Sequence, residues 1–189
     1  MEVQKVSSTL ETVEEINEAG SRTRGGKYLT FFLAGEEYGL EILKVHEIIG
    51  MMDITPVPRT PDFIRGVINL RGKIIPIVDL RVKFGMEAAD TTDETCIIVV
   101  QANGVQMGIV VDRVSEVLDI ASDEIEDVPS FGSDVNTDYI LGIGKTGGKV
   151  KLLLDIDKVL SSSEFAEMHA AALAAEASAG EEKPVDSET

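Results

Sequence analysis

Residues 38–49, YGLEILKVHEII, return 69 positions later as residues 107–118, MGIVVDRVSEVL, and this repetition decides the fold. The alignment superimposes a glycine, a valine, a glutamate and most of the aliphatic residues. A shift of 76 positions likewise places residues 72–80, GKIIPIVDL, over residues 148–156, GKVKLLLDI. The larger shift reflects a seven-residue insertion in the second copy. The chain therefore contains an internal duplication, and such a repeat constrains the fold more than any single propensity does.

Each copy is a pattern of short strands, over residues of about 27–85 and 95–158. Runs rich in valine, isoleucine, phenylalanine and tyrosine alternate with glycine-bearing turns, which is typical of antiparallel strands. Hairpins are predicted over residues 28–42 and 97–111, the second with an Asn-Gly turn. Since closure removes exposed sheet edges, about five strands per copy predict two packed β-barrels and an all-β fold.

Helices are expected only as accessories. Residues 42–49 fit a helical stripe as well as a strand, and we interpret them as mostly strand because the repeated segment is rich in β-branched residues. A short helix is predicted over residues 61–65, after turn-forming prolines, and a C-terminal helix from Asp157 through the alanine-rich stretch after Ser163.

The ends of the chain are polar, and the whole chain carries a formal charge of −17. We expect a flexible N-terminal tail over residues 1–26, a globular domain over 27–160, and a helix followed by an acidic disordered tail over 161–189. The charge disfavours nucleic acid as a partner. No secretory signal and no apolar run long enough for membrane insertion is present, so a cytoplasmic location is expected.

No residue pattern predicts catalysis, a metal or a cofactor. The two histidines, His46 and His169, lack a second ligand at metal-binding spacing, and no Gly-x-Ser-x-Gly nucleophile turn is present. Residues 142–149 are rich in glycine and lysine but lack the Gly-Lys-Ser/Thr ending of a phosphate loop. Cys96, which lies in an apolar run, is predicted to be a buried structural thiol.

Differences between the copies point to interaction sites. Asn69 and Arg71 belong to the turn NLRG, and the second copy has glycine in place of Arg71. An arginine at a hairpin tip is able to offer a planar fork of donors to a carboxylate, although a solvated turn residue explains it equally well. Val45 and Glu47 are shared by both copies and fit a strand with one face in the core. Phe131, in the inserted loop, either tucks under that loop or anchors an interface.

Four segments together resemble the CheW family of chemotaxis coupling proteins: residues 31–40 (FFLAGEEYGL), 61–66 (PDFIRG), 69–72 (NLRG) and 76–80 (PIVDL). They occur in register within residues of about 27–160. The resemblance implies two packed five-stranded SH3-like barrels, short accessory helices, a C-terminal helix, no cofactor and no enzymatic activity.

The resemblance also implies partners and contact residues. The expected partners are methyl-accepting chemotaxis receptors and the regulatory domain of the histidine kinase CheA, with self-association in array rings as a further expectation. Val45, Glu47, Asn69 and Arg71 match positions implied in receptor binding, and Phe131 matches a position in the kinase and ring interface. Two alternatives stay open: an adaptor of a receptor-kinase pathway that does not control motility, and a double-barrel enzyme or small-ligand binder.

Overall fold

The structure is a computed structural model that describes residues 24–179. Almost all of the predicted N-terminal tail and the last ten residues of the predicted acidic tail lie outside the described residues. The strands are β1 (Gly26–Leu33), β2 (Glu36–Glu41), β3 (Val45–Gly50), β4 (Ile64–Leu70), β5 (Lys73–Asp79), β6 (Cys96–Ala102), β7 (Val105–Val111), β8 (Arg113–Ile120), β9 (Ile125–Glu126), β10 (Ile140–Thr146) and β11 (Lys149–Leu154). The helices are α1 (Leu80–Lys83) and α2 (Ser162–Ala179), and 3₁₀ turns occupy Ile42–Lys44, Ser122–Glu124 and Ile156–Lys158.

The strands form two sheets. The first sheet has the order β8-β1-β2-β11-β10-β9, and the second has the order β3-β6-β7-β5-β4. Neighbouring strands are antiparallel except for the pairs β2–β11 and β5–β7, which are parallel. The chain passes from the first sheet to the second through Ile42–Lys44 and returns at Asp112. The predicted fold class is confirmed, with two SH3-like β domains and a C-terminal helix.

The repeat copies do not coincide with the sheets, so the expectation that each copy closes its own barrel is wrong. The hairpin β1–β2 of the first copy joins strands β8–β11 of the second, while the hairpin β6–β7 joins strands β3–β5. The physical reason lies at Ile42–Lys44, where the chain leaves the first sheet after the hairpin β1–β2 and enters the second sheet. The outer edges of β1 and β2 are therefore free to pair with β8 and β11 of the other copy. The strand register is the same in both sheets. Phe31 and Val100 are equivalent positions of the repeat, as are Val114 and Val45, and Phe31 opposes Val114 just as Val100 opposes Val45.

Most central strands are buried on both faces, which explains their unbroken apolar runs. In β6, Ile98 and Val100 face a large core that both sheets share, whereas Ile97 and Val99 face a smaller core within the second sheet. Tyr28 and Leu153 belong to the corresponding small core of the first sheet. The shared core also takes in side chains of β1, β2, β5, β7 and β11 and Met168 of α2, so it joins the two sheets.

The predicted helix over residues 61–65 is wrong. This segment is a turn that leads into β4, in which the Ile64 amide donates to the Pro61 carbonyl over 2.9 Å. The Asp79 amide then donates to the Phe63 carbonyl over 2.7 Å, and this bond draws the turn to the end of β5. Because these bonds hold the segment at the end of β5, it continues as a strand and not as a helix.

Two further segments, residues 42–49 and the start of the C-terminal helix, are now defined. Residues 42–49 divide into the 3₁₀ turn Ile42–Lys44 and strand β3, so the strand interpretation is confirmed from Val45 onward. The C-terminal helix begins at Ser162 and not at Asp157. Ser161 and Glu164 form a capping box before it, with the Glu164 amide donating to Ser161 Oγ over 3.3 Å and the Ser161 amide donating to Glu164 Oε2 over 2.6 Å.

Candidate functional site

Strand β3 supplies the first part of the candidate site. It is an edge strand of the second sheet, and its pairing with β6 is irregular between Val45 and Glu47. Val45 is half-buried and packs against the shared core, which gives it a structural role in addition to any contact role. The Glu47 side chain is 25% exposed, while the neighbouring His46 and Ile48 are more exposed to solvent. The strand therefore presents a carboxylate at a partly covered edge.

The β4–β5 turn supplies the second part. Its two central residues, Arg71 and Gly72, have φ angles of +52° and +84°, the left-handed combination that two-residue hairpin turns require. The Asn69 side chain accepts a hydrogen bond from the Gly72 amide over 2.8 Å and so fixes the turn. Asn69 is therefore occupied with shaping the loop, whereas the Arg71 side chain is 69% exposed.

Glu47 and Arg71 meet in an ion pair, although β3 and β4 are the opposite edges of the second sheet. The sheet curls so that these edges approach each other. Thr55, which follows β3, exchanges two backbone hydrogen bonds of 2.9 Å with Val67 of β4. Gly66 makes this close approach possible, because a Cβ atom there would lie 2.1 Å from the Thr55 carbonyl oxygen. The closure of the second sheet thus brings together three of the predicted residues, Glu47, Asn69 and Arg71.

Phe131 lies elsewhere, in the long loop between β9 and β10 of the first sheet. Its side chain is 62% exposed, and Val135 in the same loop is 52% exposed. Of the two readings of Phe131, the structure supports the outward-facing one. An ion pair between Arg24 and Asp127 lies at the base of the loop.

Two exposed apolar residues on edge strands were not predicted from the sequence. Ile48 on β3 is 46% exposed and Val117 on β8 is 50% exposed, and they occupy equivalent positions of the two copies. Each lies on the edge strand of its sheet. The signal was present in the repeat alignment, where both copies place an aliphatic residue directly after the shared glutamate. Exposed apolar side chains on edge strands mark surfaces suited to contact with another protein.

The carboxylates near the strand ends serve the fold. Asp112 accepts two hydrogen bonds of 2.7 Å from the Arg81 guanidinium and one of 2.8 Å from the Ala34 amide. The bonds from Arg81 lower the pKa of Asp112, against the opposing effect of burial. Asp157 accepts from the Asn103 amide over 2.8 Å and pairs with Lys44 over 2.7 Å. Asp112 therefore anchors the β1–β2 turn of the other copy, and Asp157 anchors the β6–β7 turn of its own copy.

Within residues 24–179, no group of three or more histidine, cysteine, aspartate or glutamate side chains is arranged to hold a metal ion. Cys96 is half-buried rather than fully buried, and this burial raises the pKa of its thiol. No helix in this part of the chain is long and apolar enough to cross a membrane.

Comparisons with known proteins agree on one family. The CheW-like domain matches residues 27–164. The chemotaxis protein CheW of Klebsiella aerogenes is 44% identical over 151 residues, which cover 80% of this chain and 91% of the relative. The chemotaxis protein CheW of Rhizobium meliloti is 37% identical over 149 residues, which cover 78% of this chain and 96% of the relative.

A solved structure extends the agreement to three dimensions. The crystal structure of the scaffolding protein TtCheW from Thermoanaerobacter tengcongensis matches with a TM-score of 0.68 and 38% identity, over 74% of this chain and 95% of that one. The resemblance seen in the four sequence segments is confirmed. The chain therefore belongs to the CheW family, whose members are non-enzymatic scaffold and adaptor proteins of chemotaxis.

Proposed function

We propose that this protein couples the cytoplasmic tips of chemoreceptors to the regulatory domain of the histidine kinase CheA, at membrane receptor arrays. The surface formed by Glu47, Asn69 and Arg71, with Val45 behind it, contacts the receptor. The Phe131 loop contacts the kinase domain or a neighbouring copy in the array ring. Support for the overall role comes from the names of the relatives, and support for the surfaces comes from the geometry described above.

The observation that carries the receptor assignment is the conformation of Arg71. At φ +52° this residue occupies a backbone region where a non-glycine side chain costs roughly 1–2 kcal/mol. The equivalent residue of the second copy is Gly147, which adopts φ +63° without that cost. The turn therefore does not need an arginine, and the strain of keeping one supports a role for its guanidinium outside the fold.

The ion pair with Glu47 is consistent with this role. A pair with one partner this exposed contributes only about 0–1 kcal/mol to stability. The guanidinium has five donors, more than a single carboxylate oxygen can use. Arg71 is thus held in place by Glu47 while it offers further donors to a carboxylate or carbonyl of a docked helical hairpin.

The receptor assignment is tested by two matched variants, Arg71→Gly and Arg59→Gly. Arg59 is also an exposed arginine in the left-handed region, with φ +62°. Each change relieves similar backbone strain, so neither lowers the unfolding temperature. In co-sedimentation with receptor cytoplasmic fragments, Arg71→Gly is expected to weaken capture tenfold or more, while Arg59→Gly binds as the wild type does. Equal capture by both variants would remove Arg71 from the receptor site.

The Phe131 assignment is tested with the purified regulatory domain of CheA. Exposed aromatic residues are frequent anchors of protein interfaces, so Phe131→Ser is expected to weaken this binding by tenfold or more. Leu173→Ser is the control, since Leu173 on α2 is 52% exposed and is not assigned to a contact. If both variants bind the kinase domain normally, and Phe131→Ser also self-associates as the wild type does, the Phe131 loop has no part in assembly.

A further inference from the structure

The chain consists of two halves that meet along strand edges. Four of the strand pairs join the first half (β1–β5) to the second (β6–β11): β1–β8, β2–β11, β3–β6 and β5–β7. Each half on its own keeps only its hairpins and the short bridges beside them. Since an isolated hairpin is marginally stable in water, neither half has a sheet that could stand alone.

Ion pairs follow the same boundary. Lys44 with Asp157, Arg81 with Asp112, Lys83 with Glu164 and Glu37 with Lys151 all join one half to the other, at distances of 2.7, 2.7, 2.6 and 3.5 Å. The Lys151 and Glu37 side chains are only 6% and 10% exposed. A buried charge left without its partner is costly, so separation of the halves is strongly disfavoured.

The covalent link between the halves has little structure of its own. Residues 87–94 are all exposed and belong to no helix or strand. The link joins the last strand of the first copy, β5, to the first strand of the second copy, β6. The equivalent link in the other direction would join β11 to β1, and these strands are not joined in the chain. At that second position the halves are therefore held together by strand pairing and core packing alone.

From this arrangement we infer that the two halves are complementary partners that assemble without a covalent link, and that the half of a second copy of this chain serves equally well. The recognition surface is the set of four strand edges, sealed by the shared core. Cutting the exposed link removes no hydrogen bond of the sheets.

The test uses the full chain with a protease recognition sequence inserted between Ala89 and Asp90. After cleavage, both fragments are expected to elute as one complex with the far-UV circular dichroism of the uncut chain. The unfolding midpoint should then rise with protein concentration, since folding has become bimolecular. Fragments that elute apart while each stays folded would overturn the inference, and so would loss of the folded signal on cleavage.

Exchange between copies is tested on the same cut protein. Isotope-labelled and unlabelled cut chains are unfolded in urea, mixed and refolded, and native mass spectrometry should then show mixed complexes. Complexes that contain only matched halves would refute the exchange.

A variant at the parallel pair β2–β11 tests whether the strand edges hold the two halves together. A Cβ atom on Gly39 would lie 2.8 Å from Leu153 Cδ2, in the other half, whereas the control residue Val135 is 52% exposed in the loop between β9 and β10, outside the four strand pairs. Gly39→Val is expected to raise the dissociation constant of the cut halves roughly tenfold or more, because overpacking strains the junction. Val135→Ala should change it less than threefold, about the scatter of a neutral surface substitution. Equal effects of the two variants would contradict the proposed interface.

Discussion

Replacement of Gly66 by alanine should loosen the closure on which the Glu47–Arg71 surface depends. The residue has φ +138°, a conformation that costs a side chain about 1–3 kcal/mol. The new methyl group would also lie 2.1 Å from the Thr55 carbonyl oxygen and 2.7 Å from the Thr55 carbonyl carbon. The Thr55 backbone must therefore retreat, which weakens its two hydrogen bonds with Val67, each contributing about 0.5–1.5 kcal/mol.

These contributions add to roughly 2–6 kcal/mol for Gly66→Ala, a large share of the ~5–15 kcal/mol that stabilises a typical domain. The expected fall in unfolding temperature is on the order of 10 °C. Urea and thermal unfolding followed by far-UV circular dichroism measure both quantities, and receptor capture should weaken in parallel.

Two further glycines test the geometry behind this prediction. Gly142 is the repeat equivalent of Gly66, but a Cβ there would lie 2.6 Å from a side-chain methyl group of Ile125 and 2.9 Å from the Glu126 carbonyl oxygen. Gly142→Ala should therefore cost less than Gly66→Ala. Gly50→Ala, in open space, should change stability by less than about 0.5 kcal/mol. A free energy of unfolding for Gly66→Ala within about 1 kcal/mol of the wild-type value would contradict this role of Gly66, and so would a reversed order of the three variants.

Three other outcomes follow from the polar contacts and the thiol. Arg81→Met should lower the free energy of unfolding, measured by urea titration, by about 1–3 kcal/mol, because it leaves Asp112 without its two guanidinium bonds. The control is Lys27→Met, which removes the largely exposed ion pair with Asp119 and should change that free energy by less than about 0.5 kcal/mol. The pKa of Asp112 is lowered in the folded chain, and so is that of Glu164, where hydrogen bonds outweigh the opposing effect of burial. Their stabilisation is thus complete above the unfolded values of about 4 and is lost as the pH falls through the folded values, and Asp112→Asn should show a flatter acid-unfolding curve. Burial raises the pKa of Cys96, so iodoacetamide should label this thiol slowly at pH 7 in the folded protein and quickly in urea; equal rates would show that the thiol is already accessible.

The strands and turns could be predicted from the sequence, because they depend on local patterns of residues. Repeated glycines and apolar runs located both hairpins, and Asn103-Gly104 gave the second turn with φ angles of +47° and +76°. The mistaken helix over residues 61–65 shows the limit of local reasoning, since the bond from the Asp79 amide to the Phe63 carbonyl is not encoded by either residue's propensity. The exchange of hairpins between copies was equally invisible, because the repeat specifies which strands exist but not which copy each strand will pair with.

The candidate site was only partly predictable for the same reason. Arg71 was identified by its absence from the second copy, which is a property of sequence alone. Its pairing with Glu47 depends on the curvature of a five-stranded sheet, and the partial burial of Val45 depends on a core shared between sheets. Neither could be inferred from spacing along the chain. The receptor and kinase roles of these residues remain predictions.

The core between the two sheets has a mechanical consequence. Paired domains usually swing about a flexible linker, but here the largest apolar core is the contact between the sheets. Tilting one sheet against the other would open that core, so a displacement imposed on one is inherited by the other. The two sheets therefore move as one rigid body. A change in the position or orientation of a partner bound to one sheet is transmitted to a partner bound to the other, with little bending between the sheets.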